Sequence, residues 1–300
     1  MIKNKKKTVV LSAIIFAFSI ITLGFKKSPS YFKLPKAIKE QFSFVPAGKV
    51  FNGTDSVTTG AFYISKYEVS NKDYNEFLAE LKLDENQSNY QKAKIDSANW
   101  MKEFERAFLE PMAKQYHRHP AYDNYPVVNV TYEGALMYCR WLSQKLNKMY
   151  PHDNLQIEVL MPKREEWLRA AAAKAHPSVY SWGGPYLRNA KGQLLCNFKN
   201  IGAENVYYDE KSKSYRVSEE RMSYVLDEAF FTAPVNSYVP NDFGLYNLNG
   251  NVAEMVSEKE ACGGSWNSTA YDVRNESVIE FDERSSTVGF RPLFVLTKKS

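Results

Sequence analysis

The segment PNDFGLYNLNGNVAEMVSEKEACGGSW, residues 240–266, does most to limit what this chain can become. Pro240, Asn241 and Asp242 open a turn, Gly244 permits a left-handed or tight conformation, and Gly250 sits in a second turn between two asparagines. The segment therefore reads as short pieces joined by turns. Asn247, Asn249, Asn251 and Glu254 place oxygen atoms at short intervals along it. Two readings of that pattern stand side by side. The loop is held by its own Asn side-chain hydrogen bonds, or its carbonyls and carboxylate surround a hard cation such as Ca2+.

Charge is distributed unevenly. Residues 1–27 hold six lysines (Lys3, Lys5, Lys6, Lys7, Lys26, Lys27) and no acid, so the formal net charge of +5 belongs to the leader. Without those six, 33 basic residues stand against 34 acidic ones. A near-neutral body carries no electrostatic footprint for nucleic acid. The lysines precede an apolar run from Thr8 to Phe25, which reads as an export signal with a small-residue cleavage site at Thr22-Leu23-Gly24, or as a signal anchor if uncleaved. The positive-inside rule then places the body outside, in a periplasmic or other envelope space. Cys139, Cys196 and Cys262 allow one disulfide at most, so this is no disulfide scaffold.

Residues 28–41, with Pro and Lys, read as a linker, and the domain proper as 42–300. Phe42–Phe51 and Ala61–Val69 have strand character, and Ser70 caps a helix that begins at Asn71. Residues 82–120 read as an insertion containing a helix between Ser97 and Phe108, with Trp100, Phe104 and Phe108 on one face. His117 and His119 have metal-ligand spacing on a loop, yet no third ligand lies near them in sequence, so structural hydrogen bonding is the stronger reading. Tyr125–Val130 is β-rich, Thr131 caps a helix from Tyr132 to Leu146, and Cys139 falls on its buried face. Pro162 starts another helix, in which Trp167 anchors the core.

Several of these segments also carry a resemblance. PNDFGLYNLNGNVAEM, then GGSW, then Gly289-Phe290-Arg291 resemble the C-terminal signature of the formylglycine-generating enzyme (sulfatase-modifying factor) family. FYISKYEVSNKDYNEFL, YPVVNVTYEGALMYCRWLSQKL and LMPKREEWLRAAAA resemble its N-terminal and central segments. The resemblance spans roughly residues 42–296 and implies an α+β domain of irregular architecture, related to the C-type lectin fold. It also implies two structural Ca2+ sites. Asn197, Phe198 (backbone) and Asp227 match one, and Asn247, Gly250 (backbone), Val252 (backbone) and Glu254 match the other.

The same resemblance implies a missing activity. Family oxidases bind Cu(I) through two cysteines after the Gly-Gly-Ser turn, and here those positions hold Ser268 and Val273. Neither side chain is a soft ligand, so no copper and no oxidase chemistry are expected. Four histidines without an additional helical domain exclude the iron-dependent branch, and no G-x-S-x-G elbow supports a hydrolase. The expectation is an exported, non-catalytic domain acting as an envelope scaffold or binding module. In Glu110-Pro111, His119-Pro120-Ala121-Tyr122 and Tyr125-Pro126 it resembles domains of gliding-motility and type IX secretion lipoproteins, although no lipobox Cys is present. Its expected partners are envelope proteins or a peptide ligand, with the membrane reached through an uncleaved leader. A groove near Trp266, Ser268 and Arg291 is expected to be either closed or open to a partner peptide. The alternatives are an oxidase with an atypical site and a lectin-like glycan binder.

Overall fold

The computed structural model describes residues 34–52, 55–83, 87–102, 110–174, 178–200, 206–217, 229–281 and 284–299. The leader lies outside these residues. Among those described, no helix is long and apolar enough to cross a membrane. Pro35–Ser300 forms one compact unit.

The elements are short. The helices are α1 (Lys36–Gln41), α2 (Asn71–Leu83), α3 (Gln87–Ala93), α4 (Glu110–Gln115), α5 (Tyr132–Met149) and α6 (Arg164–Ala172). The strands are β1 (Phe42–Val45), β2 (Gly48–Asn52), β3 (Asp55–Thr59), β4 (Phe62–Ser65), β5 (Leu155–Leu160), β6 (Val206–Asp209), β7 (Ser214–Val217), β8 (Ala253–Met255), β9 (Glu260–Cys262), β10 (Val278–Glu280), β11 (Val288–Gly289) and β12 (Leu293–Lys298). One sheet runs β1-β4-β12-β5, a second β10-β9-β8-β11, and two hairpins pair β2 with β3 and β6 with β7. Every pairing is antiparallel except β11 with β8.

Local chemistry sets the helix starts. Ser70 Oγ accepts from Asp73 N at 3.2 Å, and Asp73 Oδ2 reaches back to Ser70 N at 3.4 Å, a reciprocal cap on α2. Thr131 Oγ1 accepts from Gly134 N at 2.9 Å to begin α5. In α6 only half of that device operates: Glu166 accepts from Lys163 N at 2.9 Å, while the lysine side chain has no acceptor to give. Helix α5 then covers the open edge of β5. Ser143 Oγ accepts from Val159 N at 2.7 Å, and Asn147 both accepts from Ile157 N and donates to Ile157 O. Those bonds replace the strand neighbour that β5 lacks.

Two apolar clusters flank the first sheet and the helices. One packs Val45, Phe62, Ile64 and Leu293 against Trp167, Ala170 and Leu248. The other gathers Tyr74, Phe77, Tyr138, Val127, Met255 and Phe290. Cys139 is buried on α5, and no disulfide joins the three cysteines.

Several local expectations change. The segment expected as a linker ends in α1, where Ile38 is buried against the domain. Tyr125–Val130 is not a strand: it makes one bridge, Ser70 with Pro126, before Asn129 at φ 60° turns the backbone away. The insertion helix is a 3-10 segment, Ser97–Lys102, while Phe104 and Phe108 lie outside the described residues.

Candidate functional site

The turn-rich segment crosses the molecule's interior. Asn247 and Asn251 adopt left-handed backbone (φ 53° and 61°), which Asn tolerates better than other side chains. Gly250 has no substitute: a Cβ there would lie 2.2 Å from Asn197 O. Gly263 is equally constrained, with a Cβ falling 2.1 Å from Leu248 O. The two glycines let backbone pack directly on backbone.

The asparagines stitch that packing together. Asn251 Oδ1 accepts from Ala233 N at 2.7 Å, and Asn249 Oδ1 accepts from Ser181 N at 2.7 Å. Asn249 Nδ2 donates to Val273 O at 2.8 Å, and Asn197 Nδ2 donates to Phe231 O at 2.6 Å. Asn247 Nδ2 faces Glu68 Oε2, Pro234 O and Val235 O at 3.2–3.3 Å. Its Oδ1 is buried without a partner.

At the centre lies a fully buried ion pair. Arg291 Nε meets both carboxylate oxygens of Glu254 at 3.0 and 2.9 Å, and Nη2 meets Oε1 at 2.5 Å. Arg291 Nη1 also donates to Ser65 O at 3.0 Å and Nη2 to Tyr246 O at 2.6 Å, and Trp167 Nε1 donates to Glu254 Oε2 at 2.8 Å. Glu254 raises the Arg291 pKa against the opposing effect of burial. A second carboxylate, Glu68, accepts from Asn251 Nδ2 at 2.8 Å. Burial pushes its pKa up to about 8, opposed by Arg291 and assisted by Glu254. Glu68 belongs to no site in the sequence reading. It sits in the Glu-Val-Ser-Asn step that marks the entry to α2, where its burial was the overlooked signal.

These contacts bear on the calcium sets. In the second set the partnerless Asn247 Oδ1 is the oxygen a hard cation would satisfy, and backbone carbonyls suit the same ion. Glu254 is already paired with Arg291, and the buried Glu68, which accepts from Asn247 and Asn251, is the second carboxyl group of this region. In the first set the Asn197 carbonyl accepts from Asn251 N at 2.8 Å, Phe198 is buried, and Asp227 lies outside the described residues. The histidines serve turns: His117 Nδ1 donates to Asn71 Oδ1 at 2.9 Å, and His119 Nδ1 accepts from Ala121 N at 3.2 Å.

Ser268 and Val273, which the resemblance sets against the oxidase cysteines, both have structural partners. Ser268 Oγ accepts from Ser265 N at 2.9 Å, closing the turn after Gly264. Val273 is fully buried among Tyr180, Leu194, Cys196 and Phe198. Burial pushes the Cys139 and Cys262 thiols up to about 12, far from thiolate character. Trp266 and Arg291 expose no surface. Trp266 is covered by Trp100 and Phe231, with ring centroids at 6.4 and 5.2 Å, and Trp100 in turn packs on Tyr116 at 4.9 Å. Trp100 and Tyr116 come from the 82–120 segment, which covers Trp266 at that end of the expected groove.

Residues 28–294 match the family model described as sulfatase-modifying factor enzyme 1-like domain. The chain belongs to this family. Among curated relatives, the inactive C-alpha-formylglycine-generating enzyme 2 of Bos taurus is 27% identical, covering 82% of this chain and 85% of that protein. The formylglycine-generating enzyme of Mus musculus is 25% identical, covering 71% of this chain and 57% of that protein. Among solved structures, PvdO from Pseudomonas aeruginosa superposes with a TM-score of 0.54 at 19% identity, covering 84% of this chain and 93% of that one. CarF gives 0.51 at 17% identity, covering 84% and 97%. The fold is the family's: mixed helix and sheet, built of short elements.

Proposed function

We propose that this family member is non-catalytic and works, after export, as an envelope scaffold or binding module. The observation that carries the reading is Ser268 and Val273 at the thiol positions, one tied into a turn and the other sealed in an apolar cluster. Copper chemistry needs thiolates there. The covered Trp266 and the similarity to the Bos taurus protein named as inactive support the same reading. The finer proposal is a part in a gliding-motility or type IX secretion assembly, supported by the sequence resemblance of the Glu110-Pro111 to Tyr125-Pro126 segment to that branch. Export, and membrane attachment if the leader is uncleaved, are supported by the lysine-flanked apolar run.

The deciding experiment titrates the purified protein with Cu(I) and incubates it with a cysteine-containing sulfatase peptide. Neither tight copper binding nor peptide oxidation is expected, and oxidation would restore the atypical-oxidase reading. Cross-linking in intact cells should then capture envelope proteins. Structural Ca2+ held by Asn247, Gly250, Val252 and Glu254, with a second ion at Asn197, Phe198 and Asp227, belongs to the same proposal. Chelation should lower Tm if the ion binds only the folded state, and an unchanged Tm would rule out both sites.

A further inference from the structure

Two surface cavities of similar size differ in how their charges are matched. In the cleft of about 520 Å3 lined by α1, α2 and α5, Lys145 meets Glu76 at 2.5 Å, and Glu68 and Asp73 add further acidic groups to its lining. The other, about 560 Å3, adjoins Ser268. Tyr186 and Tyr271 line it while 75% and 68% exposed, and Arg188 and Lys199 supply its charge. Among the described residues no acidic one lines it, and none lies within ion-pair distance of Arg188 or Lys199.

Its walls are held in place. Trp182 Nε1 donates to Tyr186 O at 2.9 Å, Arg188 Nη1 donates to Gly192 O at 2.8 Å, and Lys199 N donates to Ser268 O at 2.8 Å. Arg274 lies over the Tyr271 ring at 3.4 Å, and its own charge is taken by Glu276 at 2.9 Å. Exposed tyrosines on a fixed frame offer contact area at little conformational cost. Two unmatched cations favour an anionic ligand. The remaining lining joins apolar Leu187, Phe198 and Ala270 with polar Asn200 and Thr269, and its apolar part suits an amino-acid side chain.

We propose that this cavity docks an acidic peptide segment of a partner protein. Its carboxylates meet Arg188 and Lys199, and its apolar groups lie against Tyr186 and Tyr271. This rests on the binding-module reading and gives that module its partner chemistry.

The test is fluorescence anisotropy of a labelled short peptide of alternating Glu and Ala, with its Gln counterpart and a polyuronate oligosaccharide as controls. The detergent-purified full chain is expected to prefer the Glu peptide. The Arg188→Gln/Lys199→Gln variant should bind it about tenfold or more weakly, as should the wild type at raised salt. Tyr271→Ala should also weaken it. Thermal unfolding checks that these exposed substitutions leave the fold intact. Absent binding, equal binding of both peptides, undiminished binding by the double variant, or preference for the polyuronate would each overturn the proposal. Envelope partners that still cross-link undiminished to the double variant would overturn this docking site alone and leave the module reading standing. Loss of all envelope partners, with Glu-peptide binding intact, would do the reverse.

Discussion

The Glu254–Arg291 hub and the Trp100–Trp266 cap are both closed to solvent, and they are held together by opposite physics. The hub is directional: every polar atom of Arg291 has a named partner. The cap is a matter of area and shape, with stacked and edge-to-face rings of Trp100, Tyr116, Phe231 and Trp266. Removing one member of the hub strands a charge, whereas removing one member of the cap leaves a void. Residues of the family signature form the hub, while the 82–120 segment supplies two rings of the cap.

That comparison breaks most visibly at Arg291. Arg291→Met leaves Glu254 buried beside Trp167 without a counter-charge, and such breakage costs about 3–5 kcal/mol. Urea unfolding should show it as a large fall in midpoint, and a loss below about 1 kcal/mol would mean that water reaches the hub. Trp100→Ala comes next. It opens the cap at a cost of about 3 kcal/mol or more and lets a quencher reach Trp266. Acrylamide quenching of tryptophan fluorescence checks this, because a cap that collapses over Trp266 would leave quenching unchanged.

Glu68 gives the smallest and most specific effect. Its pKa is raised from 4.5 to about 8, so the folded state holds a proton that the unfolded chain releases. The associated stability is fully present below pH 4.5 and is lost as pH rises to about 8. His117 acts in the opposite direction. Burial lowers its pKa from 6.5 to about 3, so stability falls as pH drops through that interval. Glu68→Gln should remove the loss of stability between pH 4.5 and about 8 and leave the profile below pH 4.5 alone. A variant retaining the full slope between pH 6.5 and 8, above the His117 interval, would assign that slope to another group.

Much of this was written in local chemistry. Thr131 and Ser70 cap the helices they precede, Cys139 lies on the buried face of α5, and Trp167 is a core anchor. Short-range rules suffice there because donor and acceptor are three or four residues apart. The edge of β5 is different, since its neighbour is a helix side chain identified only by packing. Tyr125–Val130 shows the opposite failure: β-rich composition without a partner strand yields an extended segment turned at Asn129.

By itself, then, the sequence determined the family and the short-element architecture, because these follow from residue identity at motif positions. Only the tertiary structure decided what those positions do. Glu254 is 37 residues from Arg291, Glu68 is 183 from Asn251, and Trp100 reaches Trp266 across the whole second half of the fold. Burial and electrostatic pairing depend on distance in space, and no spacing along the chain encodes which carboxylate receives the guanidinium.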